Sequence, residues 1–333
     1  MRIKLLLIFT VLGLTFKAQN ENGLVNWLTL KEAQEKNKTL PKPFLIDIYT
    51  DWCGWCKHMM KTTYSNQNIA TYVNQNFYPV KFDAETKDTI EYNGKTYYPT
   101  SKDPKTPHQL AIKFLGTSLS YPSTMFVANN YEFNLLTQGF LEEKKIEPVM
   151  IFVVENAYRT TQYEDFADRF NKAFYDTVFP KKQIPVYSIN EALSLSKKKP
   201  KKLLVNIYAG FCNTCKVQNK TTFVDTSIAS YIDKNFYLVN FDAESADTVV
   251  FNGEKHFKQL VNGYPLNTFA FKITGGRFVL PSVAVLDEKL ALVEVLNMYQ
   301  HPKNLKPVLV YFGANHYKTK KWPDFIAEYF KPK

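Results

Sequence analysis

Leu45-Ile46-Asp47-Ile48-Tyr49-Thr50-Asp51-Trp52-Cys53-Gly54-Trp55-Cys56-Lys57 runs from an apolar segment straight into two cysteines held two residues apart. The run Phe44 to Tyr49 reads as a buried strand, and the cysteines open the helix that follows it. A two-residue spacer puts both sulfurs on one helical turn, close enough to bridge, and the helix N-terminus favours a thiolate on Cys53. A thiolate is the nucleophile of disulfide exchange. The spacing therefore predicts Cys53 as the attacking sulfur and Cys56, one turn deeper, as the sulfur that resolves the mixed disulfide. Lys57 adds positive charge near by.

The motif is written twice. Cys212 and Cys215 follow Cys53 and Cys56 at an offset of 159 (212 − 53), and the same offset relates Asp83 to Asp242, Asn93 to Asn252, Pro122 to Pro281, Tyr158 to Tyr317 and Phe166 to Phe325. The register holds without gaps from about Glu32, paired with Glu191, to Phe170, paired with Tyr329. Two domain-sized copies indicate a tandem duplication rather than a solenoid. The junction is expected near Phe179 to Ile184, where Pro180 and two lysines interrupt the pattern. This gives one domain over 20–179 and a second over 180–333.

Within each copy helices and strands alternate. Helices around Leu28 to Lys36 and Ile189 to Ser196 lead to strands Phe44 to Tyr49 and Leu203 to Tyr208. Ile69, Tyr72, Val73 and Phe77 have helical spacing, matched by Ile228, Tyr231, Ile232 and Phe236. Strands Tyr78 to Asp83 and Tyr237 to Asp242 follow. Asn93-Gly94 and Asn252-Gly253 then suggest hairpins. A later pair, Thr124 to Ala128 and Phe133 to Leu136, and one terminal helix complete the first copy. The fold class is α/β, with a central mixed sheet flanked by helices and an inserted hairpin in each copy. Tyr92, Tyr97 and Tyr98 on the first hairpin either cover part of a substrate groove or serve as ordinary strand residues.

Composition narrows the function classes. Met1 to about Gln19 has the basic start, apolar run and small residue of a secretory signal peptide, so residues 1–19 are expected to be removed and the mature chain to be soluble and periplasmic or secreted. The apolar run is short for a membrane anchor. A net charge of +11 invites a nucleic-acid reading. The densest basic run, Lys197 to Lys202, lacks interleaved aromatics or a recognition motif and reads as a solvated loop, so no nucleic-acid partner is expected. With 21 Tyr and 26 Phe the chain is no disordered tail.

The quoted segment resembles the thioredoxin superfamily, in particular the C-terminal domain of DsbD-type reductases and exported bacterial thiol:disulfide oxidoreductases with a Trp-Cys-Gly-Trp-Cys signature. The resemblance extends over nearly all of both copies. It implies that Asp47 is the buried acid that relays a proton as Cys56 attacks. It also implies that Pro122, after Tyr121, is a cis-proline facing the disulfide, with Leu280 and Pro281 as the counterparts. Trp52, Gly54 and Trp55, with Tyr121-Pro122 and Leu280-Pro281, would then meet substrate. The implied clients are protein disulfides and the implied electron donor is a membrane reductase of the DsbD type. No cofactor and no metal are called for.

Copy two departs from this pattern. It reads Val205-Asn206-Ile207-Tyr208-Ala209-Gly210-Phe211-Cys212-Asn213-Thr214-Cys215-Lys216, with Asn206 at the acid's place, Phe211 for Trp52, and Met298 where copy one has Gly139. An amide cannot accept the proton of a resolving thiol. The second pair is therefore expected either to exchange more slowly or to be a structural or regulatory disulfide. Other readings are a four-cysteine zinc site, which needs distant cysteines to converge, and a client-binding, chaperone-like module with structural disulfides. His58 either tunes Cys53 or lies on the helix surface; His108, His256, His301 and His316 have no motif around them.

Overall fold

The computed structural model describes residues 23–176, 178, 181–261 and 263–331. Residues 1–19, expected from the sequence to be a signal peptide, lie outside the described residues, as do Phe179 and Pro180 at the expected junction.

The N-terminal half runs α1 (Leu30–Thr39), β1 (Phe44–Tyr49), α2 (Gly54–Lys61), α3 (Gln67–Asn76), β2 (Tyr78–Asp83), β3 (Ile90–Tyr92), β4 (Lys95–Tyr97), α4 (Gln109–Leu115), β5 (Ser123–Val127), β6 (Asn134–Gln138), α5 (Glu143–Val154) and α6 (Tyr163–Phe174). Its sheet has the order β2-β1-β5-β6, with β1 parallel to β2 and antiparallel to β5. Central β1 is covered on both faces, which is why it is apolar throughout except at Asp47. Thr29 caps α1 by accepting from the Glu32 N–H while Glu32 accepts from the Thr29 N–H, a capping box. The β3–β4 turn uses Asn93 and Gly94, at φ 47° and 71°, the left-handed pair that a tight hairpin needs.

The C-terminal half runs β7 (Val186–Tyr187), α7 (Ile189–Lys198), β8 (Lys202–Tyr208), α8 (Asn213–Val217), α9 (Thr226–Asn235), β9 (Phe236–Asp242), β10 (Val249–Phe251), β11 (Glu254–His256), β12 (Lys258–Val261), β13 (Tyr264–Asn267), α10 (Thr268–Ile273), β14 (Ser282–Leu286), β15 (Leu292–Asn297), α11 (Pro302–Gly313) and α12 (Trp322–Tyr329). Its sheet order is β15-β14-β8-β9-β7. Edge strand β7 pairs Tyr187 with Val239 in parallel, and the N-terminal half has one parallel bridge at the same place, Leu28 with Val80.

The structure departs from the sequence expectation at several places. Each half ends in two helices, not one, because Asn156 and Asn315 take the left-handed conformation (φ 55° and 62°) and turn the chain between them. The strands after the cis-prolines are shifted, to Ser123–Val127 and Asn134–Gln138. The C-terminal half also forms a second hairpin, β12–β13, where the N-terminal half has no strand. Finally, α8 stops at Val217 and the chain continues as a π-helical turn over Gln218–Thr222, whereas α2 is regular to Lys61.

Each sheet carries apolar packing on both faces. One cluster of the N-terminal half, built on α3, α5 and α6, extends across to Val217 and Tyr299 of the C-terminal half. Phe166 of α6 meets Tyr299 edge-on at 5.3 Å. Around this apolar seam Arg169 pairs with Asp225 at 3.3 Å and Lys303 with Asp165 at 2.8 Å.

Candidate functional site

Strand β1 delivers the first cysteine pair to the end of the sheet, and the turn Thr50 to Trp52 presents it at the start of α2. Cys53 caps this helix: its sulfur accepts from the Cys56 N–H at 3.1 Å. Cys53 and Cys56 are joined as a disulfide with Cα atoms 5.3 Å apart. Each is only 4% exposed, but Trp52 and Trp55 beside them are 62% and 61% exposed. The rings are held in place. Trp52 donates its indole N–H to Glu85 and meets Tyr121 edge-on at 5.9 Å. Trp55, His58 and Phe140 form a ring cluster with centroids 5.1 to 5.7 Å apart. His58 thus lies on the exposed helix surface as part of an aromatic face beside Cys53. The Tyr121–Pro122 and Leu280–Pro281 bonds are both cis.

Behind the pair, Asp47 is fully buried and neither carboxylate oxygen has a hydrogen-bond partner. Burial pushes its pKa up to about 7, with the positive charge of Lys81, its β2 neighbour in register, pulling the other way. A cleft of about 370 Å³ lined by Asp47, Cys56, Lys57, Met60, Lys61 and Lys81 joins this carboxyl to the deeper cysteine. The arrangement can move a proton between Cys56 and Asp47 near neutral pH.

The second pair has the same covalent geometry and different surroundings. Cys212 and Cys215 are disulfide-bonded with Cα atoms 5.2 Å apart, and Cys212 caps α8 as Cys53 caps α2. All four cysteines are therefore paired within their own motifs rather than drawn together. In place of the orphaned carboxyl there is a closed amide network. Asn206 donates to the side-chain oxygens of Asn219 (2.8 Å) and Asn240 (3.0 Å) and accepts from Gln218 (3.0 Å), whose own oxygen takes the Gln300 N–H (2.7 Å). Gln218 is fully buried, and it is where the helix opens into its π-turn.

The helix face beside the second pair is covered, although Phe211 ahead of Cys212 is 63% exposed. The counterparts of Trp55, His58 and Phe140 are Thr214, Val217 and Tyr299, and all three are fully buried. Val217 and Tyr299 form part of the N-terminal half's apolar cluster. Phe211 and Leu280, at substrate-facing places in the sequence reading, line a cleft of about 640 Å³ shared with Tyr72, Glu155 and Cys212. The sequence reading named the cysteines, Asp47 and both prolines. It missed Glu155 and the docking of one half on the other; the available signal was the loss of two aromatic rings at Thr214 and Val217.

Other expectations resolve plainly. Tyr92 packs edge-on against Phe114 (5.0 Å) and Tyr131 (5.6 Å), so it belongs to the core beneath the hairpin rather than to a groove. His108 and His301 cap α4 and α11, each ring nitrogen accepting a backbone N–H two residues on. Among the described residues no helix is long and apolar enough to cross a membrane.

Residues 14–130 match a sequence family named Thioredox_DsbH and described as a protein of unknown function, DUF255; residues 185–287 match one described as thioredoxin-like. The chain carries thioredoxin-like folds in both halves, each a mixed sheet flanked by helices with an inserted hairpin. Among curated proteins it is similar to the uncharacterized protein B0495.5 of Caenorhabditis elegans, 30% identical over 74 residues, which is 22% of this chain and only 10% of that protein's length. Among solved structures it is similar to a thioredoxin from Thermus thermophilus (17% identity, 40% of this chain and 94% of that one, TM-score 0.30). A putative disulphide-isomerase from Bacteroides thetaiotaomicron is also similar (20% identity, 39% of this chain and 93% of that one, TM-score 0.29).

Proposed function

We propose that this chain is an exported thiol:disulfide oxidoreductase that reduces or isomerises protein disulfides at Cys53 and Cys56. The observation that carries the reading is the buried, unpartnered carboxyl of Asp47 opening into the same cleft as Cys56, behind a cysteine pair ringed by exposed aromatic side chains. An acid of raised pKa placed beside a resolving thiol is suited to take and return its proton.

In the reduced state the Cys53 thiolate attacks one sulfur of a client disulfide. A mixed disulfide forms and the other client sulfur leaves as a thiolate, taking a proton from water. The Cys56 thiol passes its proton to Asp47 and attacks the Cys53 sulfur. The second client thiolate departs and the Cys53–Cys56 disulfide closes. Two electrons from a dithiol donor then restore the pair. In an exported protein we assign that role to a membrane reductase of the DsbD type. Trp52, Gly54, Trp55, Tyr121 and Pro122 form the surface on which the client chain lies. The pattern of residues 1–19 supports export.

The test is insulin reduction with dithiothreitol as donor. Cys53→Ser should abolish turnover, whereas Cys212→Ser should leave most of it; equal losses would remove the asymmetry from the proposal. The exposed aromatic face also favours a second reading, a module that holds clients without exchanging sulfurs. Client binding that survives replacement of all four cysteines by serine, together with inactive wild-type protein, would establish it.

A further inference from the structure

Glu155 ends α5 of the N-terminal half, yet its carboxylate is bonded to the second cysteine motif. It accepts the backbone N–H of Asn213 (3.0 Å) and of Thr214 (2.7 Å) and the Thr214 hydroxyl (2.6 Å), and it lies 3.9 Å from the sulfur of Cys212. Those two N–H groups belong to the helix start that would otherwise favour a thiolate on Cys212, which keeps only the Cys215 N–H, at 3.1 Å from its sulfur. Among the described residues no side chain accepts from the matching N–H groups of Gly54 and Trp55. At Glu155's own place in the C-terminal half stands Ala314.

We propose that Glu155 is a positioning residue that holds the second pair in its disulfide form by denying negative charge to the Cys212 sulfur. Reduction of that disulfide by a dithiol begins when a donor thiolate attacks Cys212 and Cys215 leaves as a thiolate. The donor's second thiolate then attacks its own bonded sulfur and expels Cys212 with the electron pair, a few ångströms from a carboxylate. Attack by Cys212 on any client starts from the same unfavourable anion. Both directions of exchange pass through a charge that Glu155 repels. The seam between the halves keeps the carboxylate in place, so the brake comes from the N-terminal half and acts on the C-terminal one.

Other charges around Cys212 do not replace this effect. Lys216 follows Cys215, and Glu244 lies beside Gly210; both have equivalents at the first pair, Lys57 and Glu85. Tyr72 of α3 lines the cleft as a neutral phenol, its pKa raised by burial. The first motif carries Asp51 and His58 where the second has Gly210 and Val217. The inference stands on the second motif alone and does not depend on the turnover proposed for Cys53.

The full chain is reduced anaerobically, freed of reductant, and alkylated with iodoacetamide from pH 6 to 10.5, each cysteine being followed by peptide mass spectrometry. In this reaction the thiolate displaces iodide to form a carbon–sulfur bond. In wild-type protein the midpoint for Cys212 should lie above the ordinary thiol value of about 8.5. Glu155→Gln should lower it by about one unit, so that alkylation near pH 7 becomes about threefold faster, the roughly tenfold gain in thiolate being partly offset by its lower nucleophilicity. Easier access alone would raise the plateau rate without moving the midpoint, and that outcome would overturn the proposal. A midpoint raised by Glu155→Gln would also overturn it, because the carboxylate would then be acting as a base for Cys212. If the variant does not fold, a wild-type midpoint at or below about 8.5 is sufficient to overturn it.

Discussion

Asp47 and Asn206 occupy the same place on two sheets, and their neighbours have changed with them. Asp47 shares its cleft with Met60 and Lys81, has the buried Met59 at the sequence position of Gln218, and its oxygens meet no donor. The corresponding side chains around Asn206 are Gln218, Asn219 and Asn240, and they close a hydrogen-bonded amide network. A buried ionisable group left without partners costs stability, and such costs concentrate at working sites. A satisfied amide network does the reverse: it fixes a core and gives up proton transfer. On the proposed function, the contrast separates a site held ready for chemistry from one settled into structure, although both retain the same cysteine spacing.

The sharpest way to break this contrast is Asp47→Asn. The folded carboxyl keeps its proton up to about pH 7, while in the unfolded chain it ionises near 4. Between those values the unfolded chain binds fewer protons, so wild-type stability should fall as pH rises through this window and be unaffected by this group below it. Asp47→Asn should remove that slope and stabilise the oxidised protein by about 2–4 kcal/mol at pH 8, while slowing insulin reduction by about a hundredfold. Urea unfolding at pH 4 and pH 8 checks the first part; equal stabilisation at both would show that the carboxyl is not the cause. The reciprocal change, Gln218→Met, puts the first half's residue into the second half's network. It strands the Asn206 oxygen and the Gln300 N–H, and should cost about 1–3 kcal/mol with no loss of insulin reduction. A smaller effect is expected at Gly139, whose counterpart in the C-terminal half is Met298. Both have positive φ, 86° and 69°, and a side chain begun at Gly139 would meet no atom within 4 Å. Gly139→Ala should therefore cost only the backbone term, about 1 kcal/mol; a loss several times larger would reveal contacts beyond the backbone.

Much of this architecture was legible in the sequence because it is local. The strand–cysteine–helix order, the Asn-Gly turns and the 159-residue register all depend on neighbours within a few residues or on exact repetition. The cis-prolines were reached through family resemblance. The β12–β13 hairpin did carry a local signal that the sequence reading passed over, the dipeptide Asn262-Gly263 between β-prone runs. The π-turn at Gln218 depends on partners at Asn206 and Gln300, and these become neighbours only in the folded sheet. The seam between the halves was least visible of all, since Thr214 and Val217 read as ordinary helix residues until α5 and α6 are laid against them. Glu155, one exposed-looking acid at a helix end, gave no local sign of reaching a sulfur 57 residues away.

That seam also sets the valency of the molecule. A chain with two open cysteine faces could grip a client at both and gain from tethering, since the second encounter would be intramolecular. Here Thr214, Val217 and Tyr299 are spent on joining the halves; Phe211 stays exposed beside Cys212, while the outward aromatic cluster of Trp55, His58 and Phe140 belongs to the first pair. On the proposed function, the duplicated fold would be a single-handed tool, meeting its clients one at a time and releasing each without avidity to hold it back.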